Sequence, residues 1–160
     1  MIIDYLANHK QCICEIADLI YGQWPDLLQA DGISKEQLLV LLALRANTEQ
    51  LPITFVALLN GELIGTGSIK LEEPGTKVGL SPWLAGIYIK EPYRGRGVGV
   101  QIVRALEAKA RDLGVETMYL SVGRAVDFYA KLGWSVMEEQ INSFGVKEVT
   151  LMRRQLISAT

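Results

Sequence analysis

A chain of 160 residues, 49% hydrophobic and 21% charged, has enough apolar material for one packed core and too much for a disordered chain. Its formal charge of −2 argues against general nucleic-acid binding, and no apolar run approaches the ~20 residues that cross a bilayer. With no basic, then apolar leader at the start, the expectation is one cytoplasmic domain over residues 1–160 that does not associate with membranes.

In chain order, MIIDYL reads as a first strand. An apolar-periodic helix follows from about Lys10, through Ile13, Ile16, Ala17 and Ile20, and stops at Trp24-Pro25. Cys12 and Cys14 lie two residues apart on that helix and point to different sides, so they suit neither a mutual disulfide nor a shared metal. With His9 the single histidine, no metal site is expected, and both cysteines read as small packing residues. Ser34 with Gln37 forms a capping box that opens a second helix over SKEQLLVLLALRANTEQ. ITFVALLN and ELIGTGSIKLEE pair as a hairpin around a type I′ Asn60-Gly61 turn, and SPWLAGIYIK gives a fourth strand.

A glycine-rich segment then runs directly into an amphipathic helix, PYRGRGVGVQIVRALEAKARDLG. Next come the strand ETMYLSV, a short helix RAVDFYAKLG and two final strands, SVMEEQINSF and VKEVTLMRRQL. Early hairpins and a late crossover helix predict an α+β fold, a mixed sheet with helices on both sides.

Charge is uneven along this order. Between positions 90 and 111 six bases (Lys90, Arg94, Arg96, Arg104, Lys109, Arg111) face two acids (Glu91, Glu107). The first turn of a helix leaves backbone N–H groups unpaired at the positive end of its dipole. Glycines at 95, 97 and 99 remove the side chains that would keep an anion away from those amides, and Arg94 and Arg96 add charge. The pattern fits a pyrophosphate. A Walker loop would need Gly-Lys-Ser/Thr, which is missing. GRGVGV lacks the third glycine of a dinucleotide fingerprint, and the next strand carries no acid for a ribose hydroxyl.

Arg94-x-x-Gly97-x-Gly99, after a strand ending Ile87-Tyr88-Ile89, resembles motif A of the GCN5-related N-acetyltransferases, and AVDFYAKLGW resembles their motif B. The order of elements is similar across nearly the whole chain. The resemblance implies a mostly antiparallel, twisted sheet of six to seven strands and acetyl-CoA as co-substrate, with no metal. The backbone of Arg94, Gly95, Arg96, Gly97, Val98 and Gly99 would hold the coenzyme pyrophosphate. Main-chain groups of Ile87, Tyr88 and Ile89 would meet the pantetheine arm, and Arg96 and Arg104 the remaining phosphate. Tyr129 would donate a proton to the departing thiolate, a role that suits a phenol still protonated at neutral pH. A backbone N–H of the fourth strand would meet the oxyanion.

No glutamate stands where some relatives keep a base; Ser81 and Ser121 occupy the comparable positions. Deprotonation of the amine would then run through ordered water touching Ser121 or a main-chain carbonyl. The acceptor pocket would be built from Trp24, Pro25, Asp26, Asp31 and the turn near Asn142-Ser143-Phe144, with aspartates and an aromatic wall suited to a cationic amine. A small-molecule amine and a peptide amino terminus both fit as acceptor, and a homodimer through 135–144 or the last strand is compatible with the sequence. The alternative reading is a non-catalytic acyl-CoA-binding regulatory module.

Overall fold

The computed structural model describes residues 1–77, 79–145 and 147–157. Seven strands form one sheet: β1 (Ile2–Tyr5), β2 (Ile53–Leu59), β3 (Glu62–Lys70), β4 (Trp83–Ile89), β5 (Thr117–Val122), β6 (Ser135–Ser143) and β7 (Lys147–Gln155). Their spatial order is β1-β2-β3-β4-β5-β7-β6, antiparallel throughout except for the parallel β4–β5 step. Among the described residues five α-helices accompany it: α1 (Ile13–Gln23), α2 (Pro25–Ala30), α3 (Lys35–Leu44), α4 (Val98–Asp112) and α5 (Val126–Lys131). This is the α+β arrangement expected from the sequence.

Strand β2 shows how both faces come to be covered. Its residues are nearly all buried, and they alternate between two cores as the two-residue period of a strand demands. Ile53, Phe55 and Ala57 join the core under α4, whereas Val56 and Leu58 pack with α1 and α3. A third, smaller cluster joins Trp83 to Val149 and Leu151. Helix α4 lies close on the sheet because β3 carries glycines beneath it: a Cβ at Gly67 would sit 2.5 Å from Ile87 Cδ1 and 2.8 Å from Ile102 Cγ2. Ile102, Val103 and Leu106 are fully buried there, each contributing about 1.5–3 kcal/mol.

Four local readings differ from expectation. Lys10–Cys12 is a 3-10 turn, so α1 starts at Ile13. Pro25 opens the short helix α2, where its missing N–H costs nothing at a first-turn position. Helix α3 stops at Leu44, because the Asn47 amide donates to the Leu44 and Pro52 carbonyls and folds the chain back toward β2. Cys12 is buried as expected, but Cys14 is exposed and fills no core space.

Candidate active site

The parallel step in the sheet is barely a ladder. β4 and β5 share one register pair, Trp83 with Tyr119, supported by the Tyr119 N–H donating to the Pro82 carbonyl at 3.1 Å. Beyond that pair the strands part. On its other edge β4 stays bonded to β3, interrupted by a bulge where the register jumps from Ser68↔Ala85 to Thr66↔Tyr88. Gly86 sits in that bulge at φ +63. The bulge re-aims the backbone of Gly86 and Ile87 at the widening gap.

Two cavities meet in the gap. One, of about 530 Å³, is bounded by Ile87–Ile89, Tyr93–Gly95, Gly97–Val100 and Phe128. The other, of about 640 Å³, opens toward α1, α2 and the β6–β7 turn. Gln23, Trp24, Ile87, Ala125 and Tyr129 border both, so Tyr129 stands where the two spaces join.

The first cavity ends on the glycine loop. A 3-10 turn, Glu91–Tyr93, ties the Tyr93 and Arg94 amides back to the Lys90 and Glu91 carbonyls. The next backbone bond in this stretch is Gln101 N–H to the Gly97 carbonyl at 3.1 Å. Among the described residues, the six amides from Gly95 to Val100 therefore donate to no protein acceptor. Gly97, the N-cap of α4, has φ +81, a conformation in which a side chain is strained, and a Cβ there would meet no atom within 4 Å. The loop is a shallow cradle of bare N–H groups at the positive end of a 15-residue helix.

The flanking charges are fewer than the sequence count suggested. Lys90 pairs with Glu15 and Glu62 on the opposite face, and Arg111 donates to the Leu156 carbonyl. Arg104 does not face the loop: its Nη1 is 2.8 Å from Glu107 Oε1 and 3.0 Å from the Leu132 carbonyl oxygen. The reading of Arg104 as a phosphate ligand is thus corrected. Arg94 stacks on Tyr88 at 5.4 Å and donates through Nε to the Ile89 carbonyl, which occupies one main-chain group of the β4 end. Arg96 stacks on Tyr93 and lies outside the cavity wall; the other motif A positions, Ile87, Tyr88, Ile89, Arg94, Gly95, Gly97, Val98 and Gly99, all border the cavity.

Tyr129 is 8% exposed, wedged edge-on between Phe128 (4.9 Å) and Trp134 (6.2 Å). Burial pushes its phenol up to about 12, because a phenolate would be poorly solvated there. No protein group among the described residues hydrogen-bonds its hydroxyl, which leaves that hydroxyl free to serve a ligand. Behind it lies a fixed support. Glu107 of α4, wholly buried, accepts from Trp134 Nε1 at 3.1 Å and from Arg104, and has Arg154 Nε 3.2 Å away. That last contact is ionic only, since the Arg154 N–H is off line and makes no hydrogen bond. No local pattern marks Glu107 as anything but a solvated charge.

Ser121, on β5, borders the larger cavity, as do Trp24, Asp31, Ser143 and Phe144; Pro25, Asp26 and Asn142 do not. Residues the sequence did not single out are there too: Arg45 at the end of α3, Lys70 at the end of β3, Arg124 and Lys147. They arrive from distant parts of the chain, with no shared motif to mark them.

Comparison with known proteins places this arrangement. The model of the acetyltransferase (GNAT) family matches residues 13–134. The uncharacterized N-acetyltransferase YobR of Bacillus subtilis (strain 168) is 38% identical over 60 residues, 35% of this chain and 24% of that protein, so the match spans about a quarter of that relative. An aminoglycoside 6′-N-acetyltransferase crystallised with coenzyme A superposes with a TM-score of 0.77 at 18% identity, covering 100% of this chain and 99% of that one. A ribosomal-protein-alanine N-acetyltransferase from Brucella melitensis gives 0.72 at 18% identity, covering 97% and 99%. At such identities the two structures establish the shared fold.

Proposed function

The chain belongs to the acetyltransferase (GNAT) family, and on that premise we propose that it transfers an acetyl group from acetyl-CoA directly to a primary amine, of a small molecule or of a peptide amino terminus. One observation carries the reading. Among the described residues, six free amides on a helix entrance open into a cavity that continues, past the unpartnered hydroxyl of Tyr129, into a second cavity large enough for an acceptor.

The residues present fit the coenzyme. The amides of Gly95 to Val100 would hold its pyrophosphate, with the Arg94 guanidinium beside them. Main-chain groups of β4 left unpaired by the parting of β5 would hold the pantetheine amides as an added strand does. Acetyl-CoA, when bound, supplies the thioester whose acyl carbon the amine attacks.

Around that carbon the chain does three things. The backbone N–H at the Gly86–Ile87 bulge stabilises the oxyanion. The Tyr129 hydroxyl donates to the sulfur as the C–S bond breaks and passes its proton to the thiolate. Its high pKa keeps that proton in place at every working pH, and the phenolate regains one from the nitrogen side through water. Ser121 helps orient the water that takes the amine's proton. Trp24 and Gln23 border both cavities and shield the reacting centre from the α1 side.

The test is thiol release from acetyl-CoA over a panel of primary amines, repeated with Tyr129→Phe. Turnover on at least one amine, slowed by the substitution while acetyl-CoA affinity holds, is the expected result. Coenzyme binding without turnover on any amine would instead favour a non-catalytic acyl-CoA-binding module.

A further inference from the structure

The larger cavity was expected to be a cation-binding site rimmed by aspartates. Its wall is not. Lys70 and Glu73 pair with each other at 3.3 Å and cancel. What remains is Arg45, Arg124 and Lys147 against Asp31 and Glu148. None of those three cations has an ion pair or a side-chain hydrogen bond among the described residues.

Arg45 is the most confined of them. It is half-buried at the C-cap of α3, and its main chain is tied to β2 by the Thr54 N–H at 3.0 Å. Desolvation lowers its pKa from the ordinary value, only partly offset by the Glu73 carboxylate, yet a guanidinium remains charged at any physiological pH. A half-buried guanidinium whose N–H groups meet no protein acceptor among the described residues has its donors free for a ligand anion. The planar fork of a guanidinium matches a carboxylate with two parallel N–H···O bonds. Lys147 adds to the same potential: its Nζ lies 3.6 Å from where a Cβ at Gly123 would stand, beside the open end of β5. Two loops meet at the cavity rim, where a Cβ at Gly75 would fall 2.6 Å from the Phe144 ring, and the cations lie along the wall between that rim and β5.

We propose that the acceptor is an amine that also carries a carboxylate, either a free amino acid or an acidic residue at a peptide amino terminus, and that Arg45 in the 640 Å³ cavity is the group that binds this carboxylate. The inference rests on the N-acetyltransferase reading and narrows it. It sets this cavity against polycations such as aminoglycosides and polyamines, which would meet Arg45 with like charge.

The experiment compares kcat/KM for matched acceptors that differ only in the anion: free amino acids against their methyl esters, Asp-Ala-amide against Asn-Ala-amide, and an aminoglycoside and spermidine as polycations. The expected result is a preference of about tenfold or more for one carboxylate-bearing set, the scale of one charge-assisted hydrogen bond. The set that wins identifies the source of the carboxylate. Arg45→Gln should abolish the preference by raising KM for the carboxylate forms alone, and Arg45→Lys should restore part of it. Thermal melts of both variants verify folding, and calorimetric binding of the preferred acceptor to the coenzyme A complex gives a readout independent of turnover. Preference for esters or polycations, or a preference that survives Arg45→Gln, would overturn this inference and leave the transferase reading standing. No thiol release with any amine would remove both.

Discussion

Glu107→Gln isolates the support behind Tyr129. Glu107 has no exposed surface, and each of its oxygens faces donors: Oε1 faces Arg104 at 2.8 Å, and Oε2 faces Trp134 at 3.1 Å and Arg154 at 3.2 Å. Glutamine keeps the volume but must turn its NH₂ toward one of these donor sets, so a hydrogen bond is lost along with the charge. Breaking a fully buried ion pair costs about 3–5 kcal/mol. Here the partner side chains are 44% exposed at Arg104 and 21% at Arg154, and both can regain water. Allowing for that screening, the expected loss is ~2 kcal/mol. In a domain of this size it lowers Tm by about 4–8 °C. Urea titration at pH 7 measures it, with an unchanged m-value showing that the unfolded state is not the cause. Because Trp134 packs edge-on against Tyr129, kcat should also fall several-fold while acetyl-CoA affinity holds. A variant within ~0.5 kcal/mol of the parent would refute the reasoning, since that is the range of substitutions away from any structural feature.

Tyr129→Phe should lower kcat by about 10²-fold with little change in the dissociation constant of acetyl-CoA, as removal of a general acid does. The same variant has a stability signature at high pH. The folded phenol titrates near 12 and an unfolded one near 10, so the stabilisation is fully present below pH 10 and is lost as the pH rises through 12. The parent should therefore lose about 3 kcal/mol more than Tyr129→Phe over that span in urea titrations; parallel curves would contradict the burial of the hydroxyl. Gly97→Val places a β-branched residue at φ +81 where phosphate must approach, and should weaken coenzyme A binding by about 2 kcal/mol or more in calorimetry. Ser121→Ala should slow kcat/KM by about tenfold at neutral pH and less at high pH, where the amine is already deprotonated; an equal effect at both would argue against a proton route past Ser121.

What could be read from the sequence was local. Asn60-Gly61 forms the expected turn, with φ of 50 and 80, because two adjacent positive φ values suit few other pairs. Ser34 and Gln37 close their capping box over three residues, and the glycine loop states its conformation in its own composition. What failed depends on contacts between distant residues. The basic run at 90–111 looked like one patch, but Lys90 is drawn off by Glu15 of α1, Arg104 by Glu107 and the Leu132 carbonyl, and Arg111 by the Leu156 carbonyl. Cavity charge was misjudged for the same reason: Asp26 turns out to lie off the wall, whereas Arg45 and Lys147, from the C-cap of α3 and from β7, both line it.

A crystal structure of the protein with acetyl-CoA tests the central claim most directly. Pyrophosphate oxygens are expected within hydrogen-bond distance of amides between Gly95 and Val100, with the pantetheine arm along β4 in the gap left by β5 and the thioester sulfur beside the Tyr129 hydroxyl. Coenzyme seated elsewhere, or a thioester remote from Tyr129 with the glycine-loop amides unused, would contradict it.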